Sequence, residues 1–164
     1  MAESGADSPH IAVVWGTATG PTAVASYDAA LADANVHEYN LATVSSIVPP
    51  GVPVEPVGTA ADLGPVGGRL WVVESRATID GPGRATAVLG WTVGPDGGVF
   101  YETAGTVDEP TVTDEVRRGL EAARALRDRE LPTEELRSAS IGVPNGAYGT
   151  AVVLAVYGTA ESMF

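Results

Sequence analysis

Short apolar segments separated by turn sequences are the feature that most constrains the fold of this chain. Residues 69–78 and 84–93 alternate or run apolar, as β-strands do, and the Asp-Gly-Pro-Gly sequence at 80–83 between them is typical of a hairpin turn. A second turn, Pro-Asp-Gly-Gly at 95–98, precedes another apolar strand at 99–104. The centre of the chain therefore predicts an antiparallel meander of three strands.

Two segments carry apolar residues at helical spacing. The first spans residues 22–34, and its apolar face consists of Val24, Tyr27, Leu31 and Ala34. The second is predicted to begin at Thr113, because a threonine followed by two acidic residues is typical of a helix N-cap and first turn. The inner face of this second helix is predicted to carry Val116, Leu120, Ala123 and Leu126.

Four further segments predict strands, at residues 11–15, 38–44, 136–143 and 147–157. Two prolines at 49 and 50 end regular pairing, and the Pro/Gly-rich stretch from there to residue 68 predicts a long loop. Together the segments predict an α/β chain of the α+β type, with two helices packed on six or seven mainly antiparallel strands. The length of 164 residues fits one domain.

The composition excludes several kinds of chemistry. All nine basic residues are arginine, so the chain has no lysine to hold pyridoxal phosphate or to bind phosphate in a P-loop. It has no cysteine, which excludes a thiol nucleophile, a disulfide and a thiolate zinc site. A formal net charge of −12 disfavours binding to nucleic acid or to an anionic membrane. Residues 1–9 lack the apolar core of a signal sequence, so we expect a cytoplasmic protein.

Three other motifs predict no site. Gly16 and Gly20 lie between a strand and a helix, but without a third glycine or a lysine they favour a tight turn over a nucleotide site. His37 and Glu38 are two possible metal ligands with no others at ligand spacing, so a solvated pair is favoured and no metal is expected. The arginines of the second helix alternate with acidic residues, as on a solvated face.

The sequence at 40–50, Asn-Leu-Ala-Thr-Val-Ser-Ser-Ile-Val-Pro-Pro, is more specific. Ser45 and Ser46 end an apolar strand and precede two prolines, with Asn40 upstream. This string resembles the self-cleavage site of the pyruvoyl-dependent arginine decarboxylases. Three further motifs keep the order and spacing of that family: Tyr-Asp-Ala-Ala-Leu at 27–31, Phe-Tyr-Glu at 100–102, and Arg-Asp-Arg-Glu-Leu at 127–131, expected at the end of the second helix.

The resemblance implies a self-cleaving chain. The Ser46 hydroxyl is expected to attack the Ser45 carbonyl, and the single domain of residues 1–164 then divides into a β chain of residues 1–45 and an α chain of residues 46–164. Ser46 becomes a covalent pyruvoyl group, the cofactor that forms a Schiff base with the substrate and accepts electrons as carbon dioxide leaves. Asn40 is expected to polarise the Ser45 carbonyl as an oxyanion-type donor.

The resemblance also implies residues that contact the substrate. Glu102 is expected to donate a proton, and its aromatic neighbours predict a raised pKa. Asp28 is expected to pair with the guanidinium of arginine, while Leu31 and Ile47 line its methylene stem. Where the family often has a small residue, this chain has His37, whose imidazole is expected to narrow the site.

The implied function is decarboxylation of L-arginine to agmatine, which feeds polyamine synthesis or, in archaea, modification of a transfer RNA. The implied fold is an αββα sandwich, and the implied assembly is a homotrimer or a dimer of trimers with sites between subunits. Two alternatives stay open. In the first, the chain acts on another amino acid, because pocket shape sets specificity. In the second, it is an unprocessed, non-catalytic subunit that assembles with a partner.

The acidic charge predicts a dependence on salt. An acidic surface with arginine in place of lysine is typical of a protein that works in concentrated salt, where its self-repulsion is screened. We expect the melting temperature to rise as potassium chloride is increased from tens of millimolar towards molar concentration. A melting temperature that stays flat or falls over this range would instead attribute the composition to genomic bias.

Overall fold

A computed structural model describes residues 8–164. In this range the chain forms two helices and nine strands, two strands more than the upper limit predicted. In chain order the elements are β1 (Ile11–Gly20), α1 (Ala23–Asp33), β2 (Asn40–Thr43), β3 (Ile47–Val48), β4 (Val54–Gly58), β5 (Arg69–Asp80), β6 (Gly83–Gly94), β7 (Gly97–Gly105), α2 (Glu109–Ala125), β8 (Glu135–Val143) and β9 (Tyr148–Tyr157).

The strands form two sheets. The first has five strands in the order β2-β5-β9-β1-β4, and the second has four in the order β3-β7-β6-β8. Neighbouring strands are antiparallel, except that β4 runs parallel to β1 and β2 runs parallel to β5. The expected α+β class with mainly antiparallel sheets is confirmed.

Three apolar cores define four layers. One core lies between the sheets and includes Trp91, Phe100 and Val153. A second lies between α1 and the outer face of the first sheet, and a third between α2 and the outer face of the second. The order of layers is therefore α1, first sheet, second sheet, α2, which is the expected αββα sandwich.

Within residues 8–164, neither helix is both long enough and apolar enough to cross a membrane. The predicted lack of a signal sequence concerns residues 1–9, most of which lie outside the described range.

The turn predicted at Gly16 and Gly20 is wrong, because β1 continues through both glycines and pairs with β9 along its whole length. The small residues are needed there since α1 packs closely against this part of the strand. A Cβ on Gly16 would lie 2.2 Å from the carbonyl oxygen of Ala30 in α1. The long loop predicted after residue 50 is also interrupted, because β4 pairs with β1 despite its proline at position 56.

The hairpin predicted at residues 80–83 is wrong as well. The strands on either side, β5 and β6, belong to different sheets, so this segment is a corner between the two layers. The turn at 95–98 is confirmed, since β6 and β7 pair directly across it.

Helix α2 begins at Glu109 with Asp108 as its N-cap, upstream of the cap predicted at Thr113. Pro110 is compatible with this start, because a first-turn residue needs no backbone N–H donor. The helix ends at Ala125, so Leu126 is its exposed C-cap rather than an inner residue. The motif at 127–131 therefore follows the helix, although the sequence predicted that it would form the end of the helix.

The close approach of α1 to β1 predicts that Gly16→Ala destabilises the fold. The added methyl group has to displace the helix backbone, and we expect a loss of about 1–3 kcal/mol in the free energy of unfolding, as for overpacked cores. Urea unfolding would be measured in a chain that also carries Ser46→Ala, so that cleavage does not intervene.

Gly142→Ala in β8 is the matched control, because the nearest neighbour of its Cβ is the Arg84 guanidinium at 3.5 Å. A Gly16→Ala effect within about 0.5 kcal/mol of this control would contradict the packing argument.

Candidate active site

The two serines lie where the chain crosses from one sheet to the other. The N–H of Val44 donates to the carbonyl oxygen of Val72 in the first sheet, at 3.0 Å. Two residues later, the N–H of Phe100 in the second sheet donates to the carbonyl oxygen of Ser46, at 2.8 Å. Ser45 is therefore the one residue between the two anchored positions, and the peptide bond between Ser45 and Ser46 lies inside the crossing.

This crossing bends the backbone into an unfavourable conformation. Ser46 has a φ of 69°, in the left-handed region that side chains other than glycine rarely adopt. A residue held in such a conformation costs about 1–3 kcal/mol and persists only where its surroundings enforce it. The strain is thus located at the peptide bond that the sequence motif singles out.

A tyrosine holds the next carbonyl group. The hydroxyl of Tyr157 donates to the carbonyl oxygen of Ile47, at 2.7 Å. Burial raises the pKa of Tyr157 to about 12, so the hydroxyl keeps its proton and stays a donor. No local pattern links position 157 to position 47, so Tyr157 could not be predicted from the sequence as a residue of this site.

Glu102 lies beside Ser46, whose side chain acts on its carboxyl group, and its role as proton donor stays a prediction. Burial raises the pKa of Glu102 above its usual range, while hydrogen bonds from its own backbone and from the Ser46 side chain act in the opposite direction. The raised pKa was expected from the flanking aromatic residues. A carboxyl group that keeps its proton to higher pH is suited to act as a general acid.

An open groove of about 270 Å³ lies along the serines, between β3, β7 and α2. It is lined by Ser45, Ser46, Ile47, Val99, Phe100, Tyr101, Gly119, Ala122, Ala123, Leu126 and Arg127. Gly119 allows the ring of Tyr101 to lie against α2, because a Cβ at position 119 would lie 2.2 Å from that ring. Ile47 is 48% exposed and forms part of the wall, while its contact with the methylene stem of the substrate stays a prediction.

Arg127 is a further groove residue that the sequence analysis did not assign to the site. Its guanidinium donates to the carbonyl oxygen of Ala123, at 2.7 Å. The sequence signal that could have placed Arg127 at the site was the motif at 127–131, which was interpreted only as a family motif at a helix end.

Asn40 does not reach Ser45 within the chain. Its side-chain amide donates to the carbonyl oxygen of Gly67, at 2.8 Å. Asn40 begins β2 while Ser45 follows its end, so an extended chain separates them by about 16 Å. Within one chain, Asn40 is therefore not recorded as a donor to the Ser45 carbonyl, and its role as an oxyanion-type donor stays a prediction.

Asp28 and Leu31 lie on α1, and the first sheet separates α1 from β3, the strand that Ser46 directly precedes. Asp28 is exposed, whereas Leu31 is 7% exposed and packs in the core between α1 and that sheet. Leu31 therefore cannot line the groove beside Ser46 of its own chain. Its packing instead supports the helix on which Asp28 stands.

His37 is exposed, and its Nε2 lies 3.4 Å from a carboxylate oxygen of Glu38. The pair is at the surface, as the sequence analysis favoured. The groove beside Ser46 is not lined by His37, so the imidazole does not narrow the groove of its own chain.

Comparison with known proteins identifies the family. The family model described as pyruvoyl-dependent arginine decarboxylase matches residues 10–162. Two curated relatives, from two strains of Halobacterium salinarum, carry the same name, and each is 44% identical over 158 residues. The match covers 95% of this chain and 98% of each relative. The chain belongs to the pyruvoyl-dependent arginine decarboxylase family.

Proposed function

We propose that this chain decarboxylates L-arginine to agmatine, using a pyruvoyl group that it makes from its own Ser46. The observation that carries the proposal is the position of Ser46, in a strained conformation beside Glu102 and at the edge of an open groove. The names of the relatives support arginine as the substrate.

The residues around Ser46 fit a pyruvoyl group. The required serine is present, and both carbonyl groups that follow the scissile bond are already held, one by the Phe100 N–H and the other by Tyr157. When formed, the group supplies a ketone that binds the substrate amine and accepts electrons as carbon dioxide leaves. The chain has no lysine, so it cannot hold pyridoxal phosphate in the usual way.

Self-cleavage starts at the strained crossing. Attack by the Ser46 hydroxyl on the Ser45 carbonyl carbon breaks the peptide bond between the two residues and releases the strain that their anchors impose. The products are the β chain of residues 1–45 and the α chain of residues 46–164. Asn40 bonds to Gly67 in its own chain. A hydrogen bond to the Ser45 carbonyl oxygen therefore has to come from a group other than the Asn40 of the same chain.

Glu102 acts as the proton donor of the decarboxylation. It lies next to the residue that becomes the electron acceptor, and its raised pKa extends the pH range in which it carries a proton. As pH rises through that pKa, the donor is lost. Turnover that depends on Glu102 is therefore favoured on the acidic side of its pKa.

Asp28 binds the substrate guanidinium from a neighbouring subunit. Its own α1 is separated from Ser46 by a whole sheet, so a site that contains both residues has to be shared between chains. A homotrimer or a dimer of trimers provides such shared sites. Cytoplasmic location, and the use of agmatine for polyamines or for transfer RNA modification, remain predictions from the sequence.

The direct test is release of agmatine and carbon dioxide from arginine, compared with ornithine, lysine and aspartate. We expect a preference for arginine in the wild type and no activity in Ser46→Ala, which cannot form the ketone. Ser162→Ala is the matched control and should keep full activity, because the Ser162 hydroxyl bonds Phe164 in the C-terminal segment and does not line the groove at Ser46. Wild-type preference for another amino acid would contradict the proposed substrate.

Two acidic residues are expected to give different kinetic defects. Asp28→Asn keeps the shape but loses a charge-assisted pair, so kcat/KM for arginine should fall about 10- to 100-fold, mainly through KM. Glu102→Gln should lower kcat with little effect on arginine binding, because it removes the proton donor.

Asp114→Asn is the control, since Asp114 is exposed and pairs with Arg118 one turn along α2. Equal losses on arginine and ornithine in Asp28→Asn would remove Asp28 from its role at the guanidinium.

A further inference from the structure

The hydrogen bond from the Phe100 N–H to the Ser46 carbonyl oxygen, at 2.8 Å, is held from several sides. The pairing of Ile47 with Val99 and of Val48 with Gly98 aligns the two strands next to it. The Phe100 side chain is buried between the sheets, with its ring centroid 6.1 Å from those of Trp91 and Tyr157. The donor is therefore fixed in place before any reaction begins.

The chemistry of self-cleavage places charge on this oxygen. In the first step, the Ser46 Oγ–C bond to Ser45 forms, the Ser45–Ser46 peptide bond breaks, and the Ser46 nitrogen takes up a proton. In the second, a base removes the Ser46 Cα proton, and the bond between Cβ and Oγ breaks as the Ser45 carboxylate leaves. Addition of water and loss of ammonia then complete the ketone, with no change in overall oxidation state.

The second step has the most difficult charge to stabilise. The electron pair left by the Cα proton is conjugated with the Ser46 carbonyl group, so negative charge builds up on its oxygen. A fixed donor aimed at such an oxygen stabilises the transition state without reorganisation. Within the described residues, the Phe100 N–H is the donor that the structure records on this atom.

We propose that the backbone N–H of Phe100 is a catalytic group in self-cleavage, where it stabilises the charge on the Ser46 oxygen during elimination of the Ser45 carboxylate. This inference rests on the proposed function, because it assumes that the chain cleaves at Ser46. The role belongs to the backbone of Phe100, so the side chains of the motif at 100–102 do not reveal it. The same donor remains on the carbonyl group that adjoins the finished cofactor.

The test replaces the amide of Phe100 by an ester, through incorporation of phenyllactate, which removes the N–H and keeps the side chain. Cleavage of the refolded chain would be followed by gel electrophoresis, with hydroxylamine added to cut any ester that accumulates between Ser45 and Ser46. Hydroxylamine also cuts the introduced ester, so the fragment of residues 46–164 is distinguished by its size from the fragment of residues 100–164. We expect cleavage to slow about 10- to 100-fold and the hydroxylamine-sensitive ester to accumulate.

The matched control is lactate in place of Ala160, whose N–H donates to the carbonyl oxygen of Leu63 at 2.8 Å, far from the serines. This variant also loses one backbone donor and should cleave at the wild-type rate. Cleavage of the Phe100 ester at the wild-type rate would overturn the proposal. So would slow cleavage without an accumulated ester, because a merely structural role delays the first step instead.

Two further outcomes keep the test decisive. If the wild type itself stays whole, the proposed function fails, and this inference fails with it. If the Phe100 ester does not fold, the hydrogen bond is measured by NMR in the uncleaved Ser46→Ala variant. We expect a scalar coupling across it, between the Phe100 nitrogen and the carbonyl carbon at position 46. Absence of that coupling would overturn the proposal.

Discussion

The site depends on one constraint, which is that the chain crosses between two sheets within very few residues. Val44 is still bonded to the first sheet when Ser46 is already bonded to the second. The backbone can satisfy both only by turning sharply, and Ser46 adopts a left-handed conformation as a result. The strain is sustained by two packed sheets, so it persists in the folded protein although it is unfavourable locally.

The same arrangement brings the chemical groups together. Strand β7 provides both the Phe100 N–H that holds the Ser46 carbonyl and the carboxyl group of Glu102, while β9 provides Tyr157. These strands lie far apart in sequence, so the groups meet only after both sheets have formed. A chain without lysine or cysteine can in this way obtain an electron acceptor from a serine that its own fold positions.

Patterns that depend on nearby residues predicted part of the structure. The first helix and the turn at 95–98 followed from local spacing, whereas the helix start predicted at Thr113 is wrong. The raised pKa of Glu102 was expected from its aromatic neighbours. Other failures depend on long-range packing and pairing. Gly16 looked like a turn residue because only the packing of α1 shows why a strand needs glycine there. The segment at 80–83 looked like a hairpin turn because only the pairing of distant strands shows that it joins two sheets.

The central claim is that this strained crossing is a bond that the chain itself cuts, and the intact mass of the purified protein tests it most directly. Self-cleavage yields two fragments, residues 1–45 and residues 46–164, and the heavier one should resist N-terminal sequencing because it begins with a ketone. A single uncleaved chain of full mass that is nevertheless fully active on arginine would contradict it.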